Sequence, residues 1–169
     1  MTYRVMTVCT GNICRSPMAE IVLRQRLEAA GLADEVVVDS SGVSDEEHGH
    51  PVDRRARSAL AARGYPTGDG HRAHRITATE LASRDLLLVA TAQHARTLRR
   101  MAEPAAADRI VLLRSFDPAA PVVGPGEPEH VLDLDDPWYG GMQDFEDCLT
   151  QIEAAADGVL THLRTTLHP

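Results

Sequence analysis

The opening of the chain constrains the fold most, because a strand pattern, a polar loop and a helix pattern follow one another there. Tyr3–Val8 is apolar and predicts a strand, and Met18–Ala30 has the pattern of a helix. In the loop between them, Ser16 and Pro17 predict the cap and first turn of that helix. A strand, a tight loop and a helix N-terminus in succession form a cradle of main-chain N–H groups for an anion.

Strand and helix patterns alternate along the rest of the chain. Further strands are predicted at Val36–Asp39, Leu86–Ala90 and Ile110–Leu113. Further helices are predicted from the cap Asp53 to Arg63, from the cap Thr77 with Glu80 at capping-box spacing, over Gln93–Ala102, and over Asp144–Leu167. The alternation predicts an α/β fold, with one domain over residues 1–169 and a four-stranded parallel sheet between two helix layers.

A proline-rich segment, Ser115 to Gly141, separates the last predicted strand from the last predicted helix. It predicts a long loop without regular structure, and loops of this length in a compact domain are usually functional or mobile. Ligands of parallel sheets bind at the carboxyl ends of the strands, which is where the loop after Tyr3–Val8 begins.

Cys9 and Arg15 are the chemically distinctive residues of the first loop. The helix dipole and Arg15 favour the thiolate form of Cys9, and a thiolate that faces a bound phosphate is a nucleophile. The planar fork of Arg15 can hold two phosphate oxygens. Gly11 and Asn12 both tolerate left-handed backbone angles, which a plain turn would not need twice. The pattern therefore favours a phosphate-binding catalytic loop over a structural turn.

The loop with its flanking residues, Val8-Cys9-Thr10-Gly11-Asn12-Ile13-Cys14-Arg15-Ser16-Pro17, resembles the phosphate-binding loop of the low-molecular-weight protein tyrosine phosphatases. The resemblance implies a flavodoxin-like fold and a cysteinyl-phosphate mechanism that uses no metal or other cofactor. It implies that Cys9 is the nucleophile and that Arg15 and the loop amides bind phosphate. The phosphate-binding residues would be Thr10, Gly11, Asn12, Ile13, Cys14, Arg15 and Ser16.

The reaction also needs a carboxylic acid, because a tyrosyl oxygen leaves poorly unless it is protonated, and such a donor contributes typically ~10²–10⁴ in rate. The resemblance places that acid in an Asp-Pro pair followed by two aromatic residues and a glycine. Asp136-Pro137-Trp138-Tyr139-Gly140 matches this pattern, so Asp136 is the expected general acid and, in the second step, general base. The alternative is that Asp136-Pro137 is only a turn.

Supporting roles follow from the same resemblance. Asn12 would hold the loop in its strained shape, and Ser40 and His71 would hydrogen-bond to Asn12. Ser16 would donate to the Cys9 thiolate. Cys14 forms a transient protective disulfide with Cys9 or is an ordinary loop thiol, and both interpretations stay open.

The predicted substrate cleft has Ile13, Trp138 and Tyr139 as its walls, with Glu46 at a position where family members often carry a tryptophan or another large residue. Ile13 favours phosphotyrosine, because an arginine-phosphatase branch of the family tends to carry threonine there. Thr91 stands where the family commonly has an aspartate. These two departures, at Glu46 and Thr91, bear on substrate preference more than on chemistry.

Three other functions are compatible with parts of this pattern. A protein arginine phosphatase of the same family would share the loop. A thiol-dependent arsenate reductase needs a cysteine pair near the third strand, and residues 80–100 contain none. A phosphotyrosine-binding module without activity is disfavoured because Cys9, Arg15 and Asp136 are all present.

Composition and charge limit the expected binding partners and the cellular location. A formal net charge of −8 argues against general nucleic-acid binding, which needs a basic patch. The expected partner is a phosphotyrosine-containing protein, with inorganic phosphate as the product. No stretch predicts a signal peptide or a membrane span, and three cysteines in such a chain indicate reduced thiols in the cytoplasm.

Paired histidines and a group of arginines are two further clusters of charged or titratable residues, and neither is expected to form a separate site. The pairs His48 and His50, and His71 and His74, lie in predicted loops without other metal ligands at suitable spacing, so no metal site is expected. The three arginines near the start of the second predicted helix are interpreted as a solvated face, with steering of an acidic phosphopeptide as the alternative. They are Arg54, Arg55 and Arg57.

Overall fold

The computed structural model describes residues 1–169 and is built on four short strands. They are β1 (Tyr3–Cys9), β2 (Val36–Gly42), β3 (Leu86–Val89) and β4 (Ile110–Leu112). The strands lie in the order β2-β1-β3-β4, and every pairing is parallel. The carboxyl ends of all four strands therefore meet at one edge, and the predicted parallel sheet is confirmed.

Five α-helices cover the two faces of the sheet. They are α1 (Arg15–Ala29), α2 (Arg54–Ala62), α3 (Ala78–Ser83), α4 (Ala92–Met101) and α5 (Met142–Leu167). Because successive side chains of a strand point to opposite faces, neighbouring residues of β1 enter different cores. Val5 belongs to a core of 29 buried residues with α1, α2 and α5. Met6 belongs to a core of 12 buried residues with α3 and α4. The three-layer α/β/α arrangement is confirmed.

The helix caps follow the sequence signals in two helices and depart from them in a third. The Asp53 side chain caps α2, and Thr77 and Glu80 form the predicted capping box of α3. Helix α1 begins at Arg15, three residues before the predicted start at Met18, and no side chain caps it. Its first N–H groups adjoin the polar loop, so the orphan donors of the helix end face the predicted anion cradle.

The segment between β4 and α5 is not the structureless loop that the prolines predicted. It contains the short 3₁₀ turns Leu113–Phe116, Glu129–Leu132 and Pro137–Tyr139. Leu134 is buried, and its N–H donates to the Ala90 carbonyl over 2.9 Å, which fixes the segment beside the carboxyl end of β3. Hydrophobic burial thus replaces regular secondary structure here.

No helix in the structure has the length and apolar character needed to cross a bilayer.

Candidate active site

The first loop lies at the carboxyl edge of the sheet, between β1 and α1. Cys9 is the last residue of β1 and is buried, and its Sγ atom lies 3.1 Å from the Ser16 hydroxyl. Contrary to the prediction, Ser16 is not the cap of α1. It lies in the first turn of α1, where its hydroxyl also accepts a hydrogen bond of 2.8 Å from the Asn12 amide.

The backbone of the loop contains a single left-handed residue. Asn12 has φ = +60° and is fully buried, whereas Gly11 does not use a positive φ. The prediction of a left-handed angle at both positions is therefore wrong for Gly11. A Cβ atom on Gly11 would lie 3.0 Å from the Glu47 side chain, so the glycine instead relieves close packing. One strained residue, held by its own side chain, is sufficient to shape the loop.

Hydrogen bonds from distant parts of the chain hold Asn12 in this conformation. Its Nδ2 donates to the Ser40 hydroxyl over 3.0 Å, and its Oδ1 accepts from the main-chain N–H of His74 over 3.1 Å. The His71 Nε2 donates to the main-chain carbonyl of Asn12 over 2.7 Å. The Ser40 hydroxyl in turn donates to Glu20, a buried carboxylate that the sequence analysis did not single out.

Arg15 and Asp136 come together although they lie 121 positions apart in the sequence. The Arg15 side chain is buried, and its Nη1 donates to the Leu134 carbonyl over 2.9 Å. Its Nη2 lies 3.3 Å from Asp136 Oδ2. The other carboxylate oxygen of Asp136 accepts from the Trp138 N–H over 3.1 Å and so caps the 3₁₀ turn that follows.

A cleft of about 190 Å³ opens above the loop. Its lining includes the predicted wall residues Ile13, Glu46, Trp138 and Tyr139, together with Cys9, Arg15 and Asp136. The rings of Trp138 and Tyr139 stand edge-on to each other with their centroids 5.1 Å apart, and the Tyr139 side chain is largely exposed. Glu47, the next residue of the same acidic run, also belongs to the lining.

The other two cysteines have protonated thiols. Burial, followed by the nearby charge of Asp53, raises the pKa of Cys14 far above its usual value. Burial likewise raises the pKa of Cys148 to about 12. All three cysteines, including Cys9, are free. A transient disulfide with Cys9 stays one of the two interpretations of Cys14.

His94 is a residue of the site that the sequence analysis missed. It is buried on α4, and its Nε2 forms a hydrogen bond of 2.8 Å with the Thr10 hydroxyl of the loop. Burial, followed by the positive charge of Arg15, lowers the pKa of His94 to about 4. The imidazole is therefore neutral at ordinary pH. No sequence signal pointed to it, because its partner lies 84 positions away.

The departure at Thr91 has a structural role. Thr91 is the N-cap of α4, and its hydroxyl accepts from the His94 N–H. The Asp133 carboxylate accepts a hydrogen bond of 2.7 Å from the N–H of Ala92, the first residue of α4. Two side chains therefore complete the N-terminus of α4 without an aspartate at position 91.

Arg55 departs from the interpretation as a solvated arginine. Arg54 and Arg57 are exposed, and Arg57 pairs with the exposed Asp69. Arg55 is half-buried and donates to main-chain carbonyls of the segment that carries Asp136.

Three of the four histidines in the two pairs form hydrogen bonds through their rings, including His71 with the Asn12 carbonyl. The His74 ring bonds to Glu80 and the His50 ring to Glu47. Side chains of His, Cys, Asp and Glu nowhere gather into a group of three or more that could hold a metal ion.

Comparison with known proteins identifies the family. A family model described as low molecular weight phosphotyrosine protein phosphatase matches residues 4–168. A low molecular weight protein-tyrosine-phosphatase of Streptomyces coelicolor is 46% identical over 97% of this chain and 95% of its own length. Low molecular weight protein-tyrosine phosphatase A of Mycobacterium tuberculosis is 44% identical over 92% of this chain and 88% of its own length.

The fold also matches solved structures. The crystal structure of YfkJ from Bacillus subtilis has a TM-score of 0.86 at 26% identity, and the match covers 98% of this chain and 97% of that one. The agreement therefore extends over nearly the whole length of both chains.

Proposed function

Since the chain belongs to the low molecular weight phosphotyrosine protein phosphatase family, we propose that it hydrolyses phosphotyrosine in proteins through a cysteinyl-phosphate. The observation that carries the proposal is the meeting of Cys9, Arg15 and Asp136 in one cleft. A nucleophile, an anion-binding guanidinium and a proton donor are the groups that this reaction requires.

In the first step, the Cys9 thiolate attacks phosphorus from the floor of the loop. The S–P bond forms while the bond from phosphorus to the tyrosyl oxygen breaks, and Asp136 gives its proton to that oxygen. Arg15 and the main-chain N–H groups of residues 10–16 bind the equatorial oxygens. Because phosphoryl transfer has a loose transition state, positioning and electrostatic stabilisation supply most of the rate.

In the second step, the Asp136 carboxylate takes a proton from a water molecule, which attacks phosphorus. The S–P bond breaks and inorganic phosphate leaves. The Ser16 hydroxyl, 3.1 Å from Cys9 Sγ, stabilises the departing thiolate by a hydrogen bond. Asn12, with Ser40 and His71 around it, keeps the loop amides aimed at the anion.

The substrate proposal follows from the shape of the cleft. Ile13, Trp138 and Tyr139 offer apolar surfaces to a flat phenyl ring above the phosphate site. Glu46 and Glu47 add negative charge to the same lining, which disfavours acidic residues close to the phosphotyrosine.

We further propose that residues 1–169 form one phosphatase domain that works in the cytoplasm on protein substrates, without a nucleic-acid or membrane partner. The family match over residues 4–168 supports the domain, and the net charge of −8 disfavours nucleic acid. Three free cysteines fit a reducing compartment.

The test is phosphate release from 4-nitrophenyl phosphate and from phosphotyrosyl, phosphoseryl and phosphoarginyl peptides, with EDTA present. We expect release from the aryl and phosphotyrosyl substrates only. The Cys9→Ser variant should lose turnover, whereas Cys148→Ala, which removes a buried thiol outside the cleft lining, should keep it. Preference for phosphoarginine would assign the protein to arginine phosphatases. Peptide binding without any release would indicate a binding module.

A further inference from the structure

Arg55 connects two parts of the cleft that are far apart in the sequence. Its Nη1 donates to the main-chain carbonyls of Trp138 and Gly140, over 3.1 and 3.0 Å. These carbonyls lie two and four residues after Asp136. One guanidinium group therefore holds the turn whose first residue is the proposed general acid.

The Arg55 side chain is itself held firmly. Its Nε and Nη2 donate to the two carboxylate oxygens of Asp53, each over 3.2 Å, and its guanidinium carbon lies 4.6 Å from the centroid of the buried Phe145 ring. A two-point contact with a carboxylate and stacking on an aromatic face both restrict a guanidinium. These contacts therefore fix the conformation of the Arg55 side chain.

Asp53, the partner of Arg55, is in turn bonded to the phosphate loop. The main-chain N–H of Asp53 donates to the Ile13 carbonyl over 2.8 Å. An unbroken series of contacts thus connects the loop through Asp53 and Arg55 to the turn that begins at Asp136. Its length sets the separation between the proposed nucleophile and the proposed acid.

The direct contact between Arg15 and Asp136 cannot set this separation during the reaction. Arg15 Nη2 lies 3.3 Å from Asp136, but a bound phosphoryl group competes for that guanidinium, because phosphate oxygens are strong acceptors. The bonds from Arg55 end on main-chain carbonyls and leave the carboxylate of Asp136 free. A phosphoryl group held by the Arg15 guanidinium does not compete with these carbonyls and leaves the bonds of Arg55 unchallenged.

We propose that Arg55 is a positioning residue that keeps Asp136 within reach of the leaving oxygen, an inference that rests on the proposed function. Arg55 touches neither the phosphoryl group nor the proton that is transferred. Its loss should therefore impair protonation of the leaving group and leave phosphate binding unchanged.

The experiment compares kcat/KM of Arg55→Met and wild type for aryl phosphates whose leaving phenols differ in acidity. Protonation matters little for 4-nitrophenyl phosphate and much for phenyl phosphate and phosphotyrosine. We expect a loss of about 10- to 100-fold with the poor leaving groups, since displacement of a catalytic group by about 1 Å can have that effect, and less than about 3-fold with 4-nitrophenyl phosphate. Inhibition by inorganic phosphate should not change.

Two further variants make the test specific. Arg57→Met removes an arginine from the same helix whose partner is the exposed Asp69, and it should behave as wild type. Arg55→Lys keeps the charge without the planar fork, and it should show the same selective loss in a smaller degree. It also serves if Arg55→Met does not fold.

The outcomes separate this inference from the proposed function. A wild-type protein that hydrolyses no aryl phosphate would contradict the proposed function itself. An active wild type with an Arg55→Met variant that loses activity equally for all leaving groups, or not at all, would overturn the positioning role alone.

Discussion

The phosphate loop and the turn that carries Asp136 line the same cleft but are held in different ways. Residues 9–16 are mostly buried, and three side chains from separate parts of the chain hydrogen-bond to them, namely Ser40, His71 and His94. The turn 136–140 is mostly exposed and is held by two arginines and its own cap. The difference indicates that loop variants lose stability and shape together, whereas variants of the turn lose activity alone.

Apart from loss of the nucleophile itself, the largest expected effect on activity belongs to the turn. Asp136→Asn removes the transferable proton but keeps an oxygen that can accept from the Trp138 N–H. We expect kcat/KM for phosphotyrosyl peptides to fall about 10²- to 10⁴-fold. The melting temperature and inhibition by phosphate should stay near those of wild type. A large loss of stability would contradict the contrast between the two regions.

The matched change in the loop is at Asn12. Asn12→Gly permits the positive φ but loses three side-chain hydrogen bonds, which should lower the free energy of unfolding by about 2–3 kcal/mol. Asn12→Ala should lose about 1 kcal/mol more, because alanine resists the left-handed region. Chemical denaturation measures both. A glycine variant as stable as wild type would show that the hydrogen bonds contribute nothing.

His94 makes the stability of the loop side depend on pH. Its pKa is about 4 in the folded protein, against about 6.5 for a solvent-exposed histidine, so the unfolded chain binds a proton at higher pH than the folded protein does. Its contribution is complete above about pH 6.5 and is lost as pH falls toward 4. At about 1.4 kcal/mol per pKa unit, the loss reaches at most about 3.5 kcal/mol.

The measurement is urea denaturation of wild type and His94→Gln between pH 7 and pH 4. The difference in the free energy of unfolding between the two proteins should shrink as the pH falls. A difference that does not vary with pH would show that His94 titrates alike in both states.

The smallest effect tests close packing behind the loop. A Cβ atom on Gly42 would lie 2.5 Å from the Thr10 carbonyl oxygen, so Gly42→Ala should cost about 1–3 kcal/mol of stability. Gly124→Ala, in the segment between β4 and α5, meets only ordinary contacts beginning at 3.6 Å and should stay within about 0.5 kcal/mol of wild type. Equal stabilities of the two variants would refute the tighter packing of the loop side.

The sequence by itself determined the local features of this protein. Apolar runs such as Leu86–Val89 defined the strands, and local caps such as Asp53 and Thr77 defined the starts of helices. These signals arise from hydrogen bonds and burial within a few residues, so they are legible in order along the chain. The motifs at residues 9–16 and 136–140 also named the candidate site through their resemblance to a family.

The tertiary structure alone decided which distant groups meet. His94 reaches Thr10, Arg55 reaches Trp138 and Gly140, and Leu134 receives the Arg15 guanidinium, each across more than 80 residues. It also decided that Gly11 needs no positive φ. Such contacts depend on how the layers of the fold bring loops to one edge of the sheet. A histidine or arginine has no local pattern that distinguishes a solvated position from a brace of the active site.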